Sequence, residues 1–410
     1  MPDVEFTNLF AVVLIALLAP LLLGLAPRLR VPAVVLEIVA GIVIGPHGLG
    51  LVSLDVPLQI VSLLGLGFLL FLAGLEIDVH QLRGQVLRLA VLGYLVTLVL
   101  GGIAGVGFSA AGWVQSALLL AVTLSATSLG LVVPVLKDAR QADGAVGQFT
   151  IAAASVADFA AVLVLSLVFS TEGGSAGERL VMVGLFALLV IVTGFVVATA
   201  GRSERIGGVL LRLQDTTAEI RVRAAVVLLV AFVALAEQFG LETILGAFLA
   251  GAVVGLVDRD AASHPRFRIK LEALGYGFLI PVFFVTSGLR LDLRGLIDDP
   301  AALLRVPLFL LALLIVRGVP AYLSVRTLGT RSTAAVALLQ ATSLPFIVTA
   351  TQIGVLTRLM APVTAAALVC AGLLSVLIFP AAALALLRHP SGSDHESSLQ
   401  PRRTQTRIDE

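Results

Sequence analysis

Charge is what this sequence lacks. Only 13% of its 410 residues are Asp, Glu, Lys or Arg, about half the share of a soluble domain, while 59% are hydrophobic. With a mean hydropathy of +1.07, the chain cannot hide its apolar surface in one soluble core, and it reads as an all-α polytopic membrane protein. The single cysteine, Cys370, lies in an apolar run and excludes a disulfide framework or a cysteine metal cluster. HExxH, a Ser/His/Asp arrangement and metal-ligand spacings are all missing, so enzymatic chemistry has no support. No cofactor and no nucleic-acid partner is expected. Gly-rich stretches such as GLGFLLFLAG sit inside apolar runs, as close-packing devices rather than phosphate cradles. No basic residue precedes Arg28, unlike a cleaved signal peptide, so the first apolar run is expected to stay as a span.

Apolar runs between charged or Gly/Pro-rich punctuation predict thirteen spans: 8–26, 33–51, 57–77, 87–108, 114–136, 146–170, 179–200, 223–238, 242–257, 271–289, 301–325, 332–354 and 362–387. Leu89 to Leu136 carries no charge over 48 residues, enough for two spans, with the turn expected at Ser109–Gln115 and Trp113 at an interface. With the N-terminus outside, 21 of the Lys and Arg residues fall in inside loops and five outside: Arg179, Arg290, Arg294, Arg305 and Arg358. That bias predicts a multi-pass plasma-membrane protein with its N-terminus outside and its C-terminus cytoplasmic. Residues 1–387 form the expected membrane domain, and 388–410 are polar and expected to be a disordered cytoplasmic tail.

Asp158 is the only ionisable residue between Asp143 and Glu172, near the middle of a run long enough to cross a bilayer. A charge at that depth costs about 2.5–3.5 kcal/mol on insertion scales and so marks a functional site. The competing reading is a carboxyl kept protonated or tied to a neighbouring helix. Arg317 is the only ionisable residue between Arg305 and Arg326 and is again central. It must face the protein interior, with Asp158 and helix carbonyl ends as the available partners; a structural strut is the alternative.

Two spans carry the same small polar triplet, Ala126-Thr127-Ser128 and Ala341-Thr342-Ser343, each with a proline downstream, Pro134 and Pro345. They are the fifth and twelfth spans, seven places apart, so they cross the membrane in opposite directions, as inverted repeats with two broken helices meeting at the midplane require. Ordinary kinked packing helices are the alternative. Glu37 lies about one turn into the second span. It reads as a cytoplasmic funnel acid or, more simply, as an interfacial residue that reaches water. Glu76 and Asp78 read as loop or cap residues, and Glu237 and Glu242 as exposed charges around an outside turn.

The blocks GIVIGPHGLG (41–50), LGLGFLLFLAGLEID (64–78), SATSLGLVVPVLKD (125–138), GLETILGAFLAGAVVG (240–255), IPVFFVTSGLRLDL (280–293) and SLPFIVTATQIG (343–354) follow one another in an order that resembles monovalent cation:proton antiporters, in the Kef/GerN/NapA-like branch. The resemblance covers residues 8–387. It implies the sodium/proton antiporter fold of thirteen helices, with core helices at approximately 87–170 and 301–387. The remaining helices would form a scaffold that dimerises, against which the core moves like an elevator. It also implies that Asp158 is the transporting carboxylate, Thr127 and Ser128 the unwound crossover beside it, and Arg317 the facing basic residue. The sequence departs from the family in having Ala157, where electrogenic members place a first carboxylate and others Asn or Gln. It also departs at Arg317, where electrogenic members tend to have Lys.

From the residues themselves, one carboxylate can hold a proton or a partly dehydrated Na⁺ or K⁺, but not both. Ser155 shares the helical face of Asp158, and oxygens of Thr127 and Ser128 would complete a hard ligand set. A guanidinium keeps its proton, so charge counting predicts electroneutral exchange of one proton for one cation. The alternatives are a sodium-coupled organic-anion carrier, without a central Arg facing the Asp, and a potassium-efflux pathway gated by a nucleotide-binding segment.

Overall fold

The computed structural model describes residues 6–25, 32–76, 84–169, 176–201, 219–257 and 265–388. Among them every regular element is helical. The first half comprises α1 (Thr7–Leu25), α2 (Ala33–Ile44), α3 (Val56–Leu75), α4 (Gly84–Ala110), α5 (Ala117–Ser125), α6 (Leu129–Asp138), α7 (Ala145–Phe169) and α8 (Ala176–Gly201). There follow α9 (Ile220–Gln238), α10 (Thr243–Val257), α11 (Pro265–Leu274), α12 (Ile280–Leu289), α13 (Leu293–Asp298), α14 (Pro300–Leu303), α15 (Arg305–Leu313), α16 (Val319–Ala321), α17 (Val325–Leu328), α18 (Thr330–Gln340), α19 (Pro345–Leu356) and α20 (Pro362–Arg388). A π-helical turn, Gly275–Leu279, joins α11 to α12, and a second, Leu314–Gly318, joins α15 to α16.

Each of the thirteen predicted runs has a helical counterpart, because a backbone in hydrocarbon must satisfy its own hydrogen bonds. Among the described residues, eight segments are long and apolar enough to cross a membrane outright, and four shorter apolar helices accompany them. The second span is shorter than predicted. It ends at Ile44, where the Gly45-Pro46 pair turns the chain and the Gly45 N–H closes on the Gly41 carbonyl at 2.9 Å. The connections holding Arg28, Asp78, Arg83 and Arg202, and the tail from residue 389, lie outside the described residues.

The fifth and twelfth spans are both broken, α5 from α6 at Ala126–Ser128 and α18 from α19 at Ala341–Leu344. In the fifth span the break falls well before Pro134, which lies within α6. Thr123 and Ser125 donate back to the carbonyls of Leu119 and Val122 at 2.6 and 2.8 Å. Such bonds compete with the helical ladder, and Ala126 leaves it in an extended conformation (φ −80°, ψ 156°). In the twelfth span Pro345 occupies the first turn of α19, where its missing N–H costs nothing, and it forces Leu344 out of helical geometry (φ −143°).

The helices pack in two groups. In one, α3 lies on α10 and α12, α2 on α12, and α9 on α10; in the other, α4 lies on α5 and α7, and α18, α19 and α15 on α20. The α3–α10 pair is in backbone contact. A Cβ on Gly251 would lie 1.9 Å from the Phe71 carbonyl oxygen, and one on Gly74 would lie 2.0 Å from that of Phe248. Small residues permit this approach where lipid supplies no hydrophobic drive between helices.

Candidate functional site

The two breaks meet. The Ser128 N–H donates to the Thr342 carbonyl at 2.9 Å and the Thr127 hydroxyl to the Gln340 carbonyl at 2.8 Å, across more than two hundred residues of chain. Each broken span thus supplies polar partners that the other has lost. A third helix clamps the second break. Ser375 of α20 accepts from the Ser343 N–H at 3.2 Å and donates to the Ser343 carbonyl at 3.1 Å.

Asp158, on α7, faces the first break. Its Oδ1 accepts from the Thr127 N–H at 3.0 Å and its Oδ2 from the Leu129 N–H at 3.4 Å. Ser128, which starts α6, makes no side-chain cap, so the carboxylate of a neighbouring helix does that work. A helix N-terminus is a favourable place for an anion. The α6 half-helix therefore gives Asp158 two backbone donors while leaving lone pairs free on both oxygens.

Arg317 occupies the π-helical turn and is 2% exposed, the largest of the fully buried side chains. The insertion that makes a π turn re-aims one side chain, and such turns recur at functional sites. Its Nε donates to the Thr127 hydroxyl at 2.9 Å, its Nη2 reaches the same oxygen, and Nη1 donates to Thr97 of α4 at 3.3 Å. The expected direct pairing with Asp158 is absent, with no ion pair within 4 Å among the described residues; Thr127 stands between the two charges. Tyr94 and Ser125, hydroxyls 3.2 Å apart, extend the buried polar layer.

A cleft leads to this point. Thr127, Ser128, Gly130, Asp158 and Pro345 line one wall. From the other group of helices come Val34, Leu70, Ala73, Phe248 and Phe284, all apolar, together with Glu76 and Tyr276. On the opposite side of the crossover the two groups of helices touch, where Gln352 of α19 donates to Ser287 of α12 at 3.1 Å.

Of the residues expected from sequence, the structure gathers Asp158, Thr127, Ser128, Ala126, Thr342, Ser343, Pro345 and Arg317 at or beside the crossover. Ser155 is buried one turn before Asp158 and is not among the residues lining the cleft. Glu37 is only 4% exposed, so it does not reach water; Val34, one turn earlier on α2, is the residue that meets the cleft. Thr97, Tyr94 and Gln340 carry no signal in the sequence, because they sit in charge-free stretches or just ahead of a break. Glu76 was legible as a charge but not as a cleft residue. Groups of three or more His, Cys, Asp or Glu able to hold a metal are absent among the described residues.

Two crossing broken helices with a carboxylate at their junction are the architecture of the sodium/proton antiporter fold. The chain belongs to the sodium/hydrogen exchanger family: the family model "Sodium/hydrogen exchanger, transmembrane" matches residues 13–388. It is 34% identical over 369 residues to the "Putative Na(+)/H(+) antiporter YjbQ" of Bacillus subtilis, covering 86% of this chain and 58% of that protein. It is also 30% identical to the glutathione-regulated potassium-efflux system protein KefC of Salmonella typhi, over 76% of this chain and 49% of that protein. The chain therefore spans only about half the length of these two relatives. The sodium proton antiporter MjNhaP1 of Methanocaldococcus jannaschii has the same fold, with a TM-score of 0.64 at 17% identity over 93% of this chain and 98% of that one.

Proposed function

We propose that the protein is a secondary antiporter that exchanges a monovalent cation, Na⁺ or K⁺, for H⁺, with both ions competing for Asp158. The observation that carries this reading is the junction itself: a carboxylate at the end of a cleft, held by two backbone N–H groups of a broken helix. A cation arriving there meets the Asp158 oxygens and the hydroxyls of Thr127 and Ser128, hard oxygen ligands suited to either ion. A proton on the carboxylate removes the charge that a cation needs. Relatives named as Na⁺/H⁺ antiporters and as a potassium-efflux system fit either cation.

Asp158, Thr127 and Ser128 all lie in one group of helices, and the residues of α2, α3, α10 and α12 that line the cleft with them are apolar. An ion bound on one body and sliding past an inert one favours elevator-like alternating access, with the α4–α7 and α15–α20 helices as the moving core. The remaining helices would be a scaffold through which the protein pairs as a homodimer in the bilayer. Arg317 keeps its proton throughout, so the exchange is one for one and electroneutral. The distribution of Lys and Arg supports an N-terminus outside and, with it, the mouth of the cleft, where α3 ends, on the cytoplasmic side.

A sodium-coupled organic-anion carrier is disfavoured, because Arg317 is committed to Thr127 and Thr97 and is not open to an anion. Acid-loaded proteoliposomes test the proposal. Adding Na⁺ or K⁺ outside should alkalinise the lumen with wild-type protein and not with Asp158→Asn. No response to either cation, or an equal response from the variant, would refute it.

A further inference from the structure

We propose that Glu76, together with Tyr276, forms a second cation site at the mouth of the cleft, where a monovalent cation is captured before it reaches Asp158. The inference rests on the exchange reading above and adds to it a residue that the sequence placed merely at a helix end.

Glu76 follows the last turn of α3, and its backbone N–H closes that turn on the Leu72 carbonyl at 3.1 Å. Its side chain lines the same cleft as Asp158. Oε2 is buried and has no hydrogen-bond partner. A buried carboxylate oxygen without a partner is costly and persists where something else uses it. A purely structural cap does not explain it. A negative charge at a helix C-terminus opposes the helix dipole, so the position loses stability as a cap and gains attraction for a cation.

The basic residues nearby do not claim it. Arg268 of α11 pairs with Glu272 at 3.4 Å and donates to the Leu75 carbonyl at 3.4 Å. Lys137 of α6 acts on Glu76 only through its field, as do Arg268 and Glu272. Tyr276 lies in the π-helical turn between α11 and α12. Its hydroxyl stands 3.5 Å from where a side chain on Gly130 would begin, so it closes on the start of α6 just outside Asp158. The carboxylate of Glu76, whose Oε2 has no partner, and the Tyr276 hydroxyl offer the oxygen chemistry that a partly hydrated monovalent cation takes. A charged wall near a low-dielectric cleft also raises the local cation concentration.

The test is exchange measured from each face in oriented vesicles, with wild type, Asp158→Asn, Glu76→Gln, Glu76→Asp and Tyr276→Phe. Glu76→Gln is expected to raise the apparent KM for the cation on the order of tenfold at the face where α3 ends. The KM at the other face, the rate at saturating cation and the Tm are expected to stay at wild-type values. Glu76→Asp should recover most of the affinity, and Tyr276→Phe should lose a smaller part of it. An unchanged KM, an equal change at both faces, or loss of exchange at saturating cation in a folded Glu76→Gln protein would overturn the capture site. If wild type exchanges and Asp158→Asn does not while Glu76→Gln matches wild type, only this inference falls. If wild type shows no cation-driven proton movement, the exchange reading falls and this one with it.

Discussion

Arg317 binds Thr127, not Asp158. The guanidinium donates to the Thr127 hydroxyl at 2.9 Å from Nε, while the Thr127 backbone N–H donates to Asp158 Oδ1 at 3.0 Å. The two buried charges are thus coupled through one threonine of the unwound segment. That arrangement keeps the carboxylate oxygens open to a cation, where a direct ion pair would block them.

The Thr127 hydroxyl therefore carries part of the fold. Thr127→Val keeps the shape but leaves two guanidinium N–H groups and the Gln340 carbonyl without a partner. A hydrogen bond to a charged group contributes about 1.5–3 kcal/mol, so a clear fall in Tm in detergent is expected. Thr127→Ser, which keeps the oxygen, should stay near wild type. Equal Tm values for all three proteins would mean that the Arg317 contacts do not matter to stability.

Exchange should not respond to voltage. Moving one net charge across the membrane is worth about 2.3 kcal/mol per 100 mV, so an electrogenic cycle would change rate visibly under an imposed potassium-valinomycin potential, with a protonophore absent. Na⁺-driven proton flux in proteoliposomes is expected to be the same at both signs of potential. A strong dependence would show that a second charge moves and that counting on Asp158 alone is wrong.

Closure on the side opposite the cleft depends on contacts such as Gln352 to Ser287, 3.1 Å apart. With Cys370→Ala as background, Ser287→Cys with Gln352→Cys bridged by a short bis-thiol reagent should stop exchange, and reductant should restore it. Neither single-cysteine protein should respond. Full exchange in the bridged protein would rule out movement of the core against the scaffold at this seam.

Packing between α3 and α10 can be tested along a single helix. On α3, a Cβ at Gly74 would lie 2.0 Å from the Phe248 carbonyl oxygen, whereas a Cβ at Gly67 would meet nothing within 4 Å. Overpacking costs about 1–3 kcal/mol. Gly74→Ala is therefore expected to lower Tm, while Gly67→Ala leaves it unchanged or slightly raised. Matching Tm values would contradict the close α3–α10 approach.

The helical runs were legible because hydrocarbon demands about 20 apolar residues per crossing and the charged punctuation is sparse. Asp158 and Arg317 were legible for the same reason: each is alone in an apolar stretch. What the sequence could not carry was who meets whom. Arg317 and Thr127 are 190 residues apart and Thr127 and Gln340 are 213 apart, and no local pattern encodes such encounters. The fifth span breaks at its polar triplet, Ala126–Ser128, with Pro134 inside α6, because hydroxyls bonding back to Leu119 and Val122 weaken the ladder there. Glu37 reads as interfacial from its place near a span end, yet helix packing buries it to 4% exposure. Glu76 follows the opposite course, a terminal charge that tertiary packing turns into a cleft.

The central claim is that one carboxylate carries the proton and the cation by turns, and proton release on cation binding measures this most directly. In weakly buffered detergent solution, adding Na⁺ or K⁺ to the protonated protein should release about one proton per bound cation, by competition for one charged site. Asp158→Asn should release none. Cation binding without proton release, or the same release from Asp158→Asn, would contradict the account.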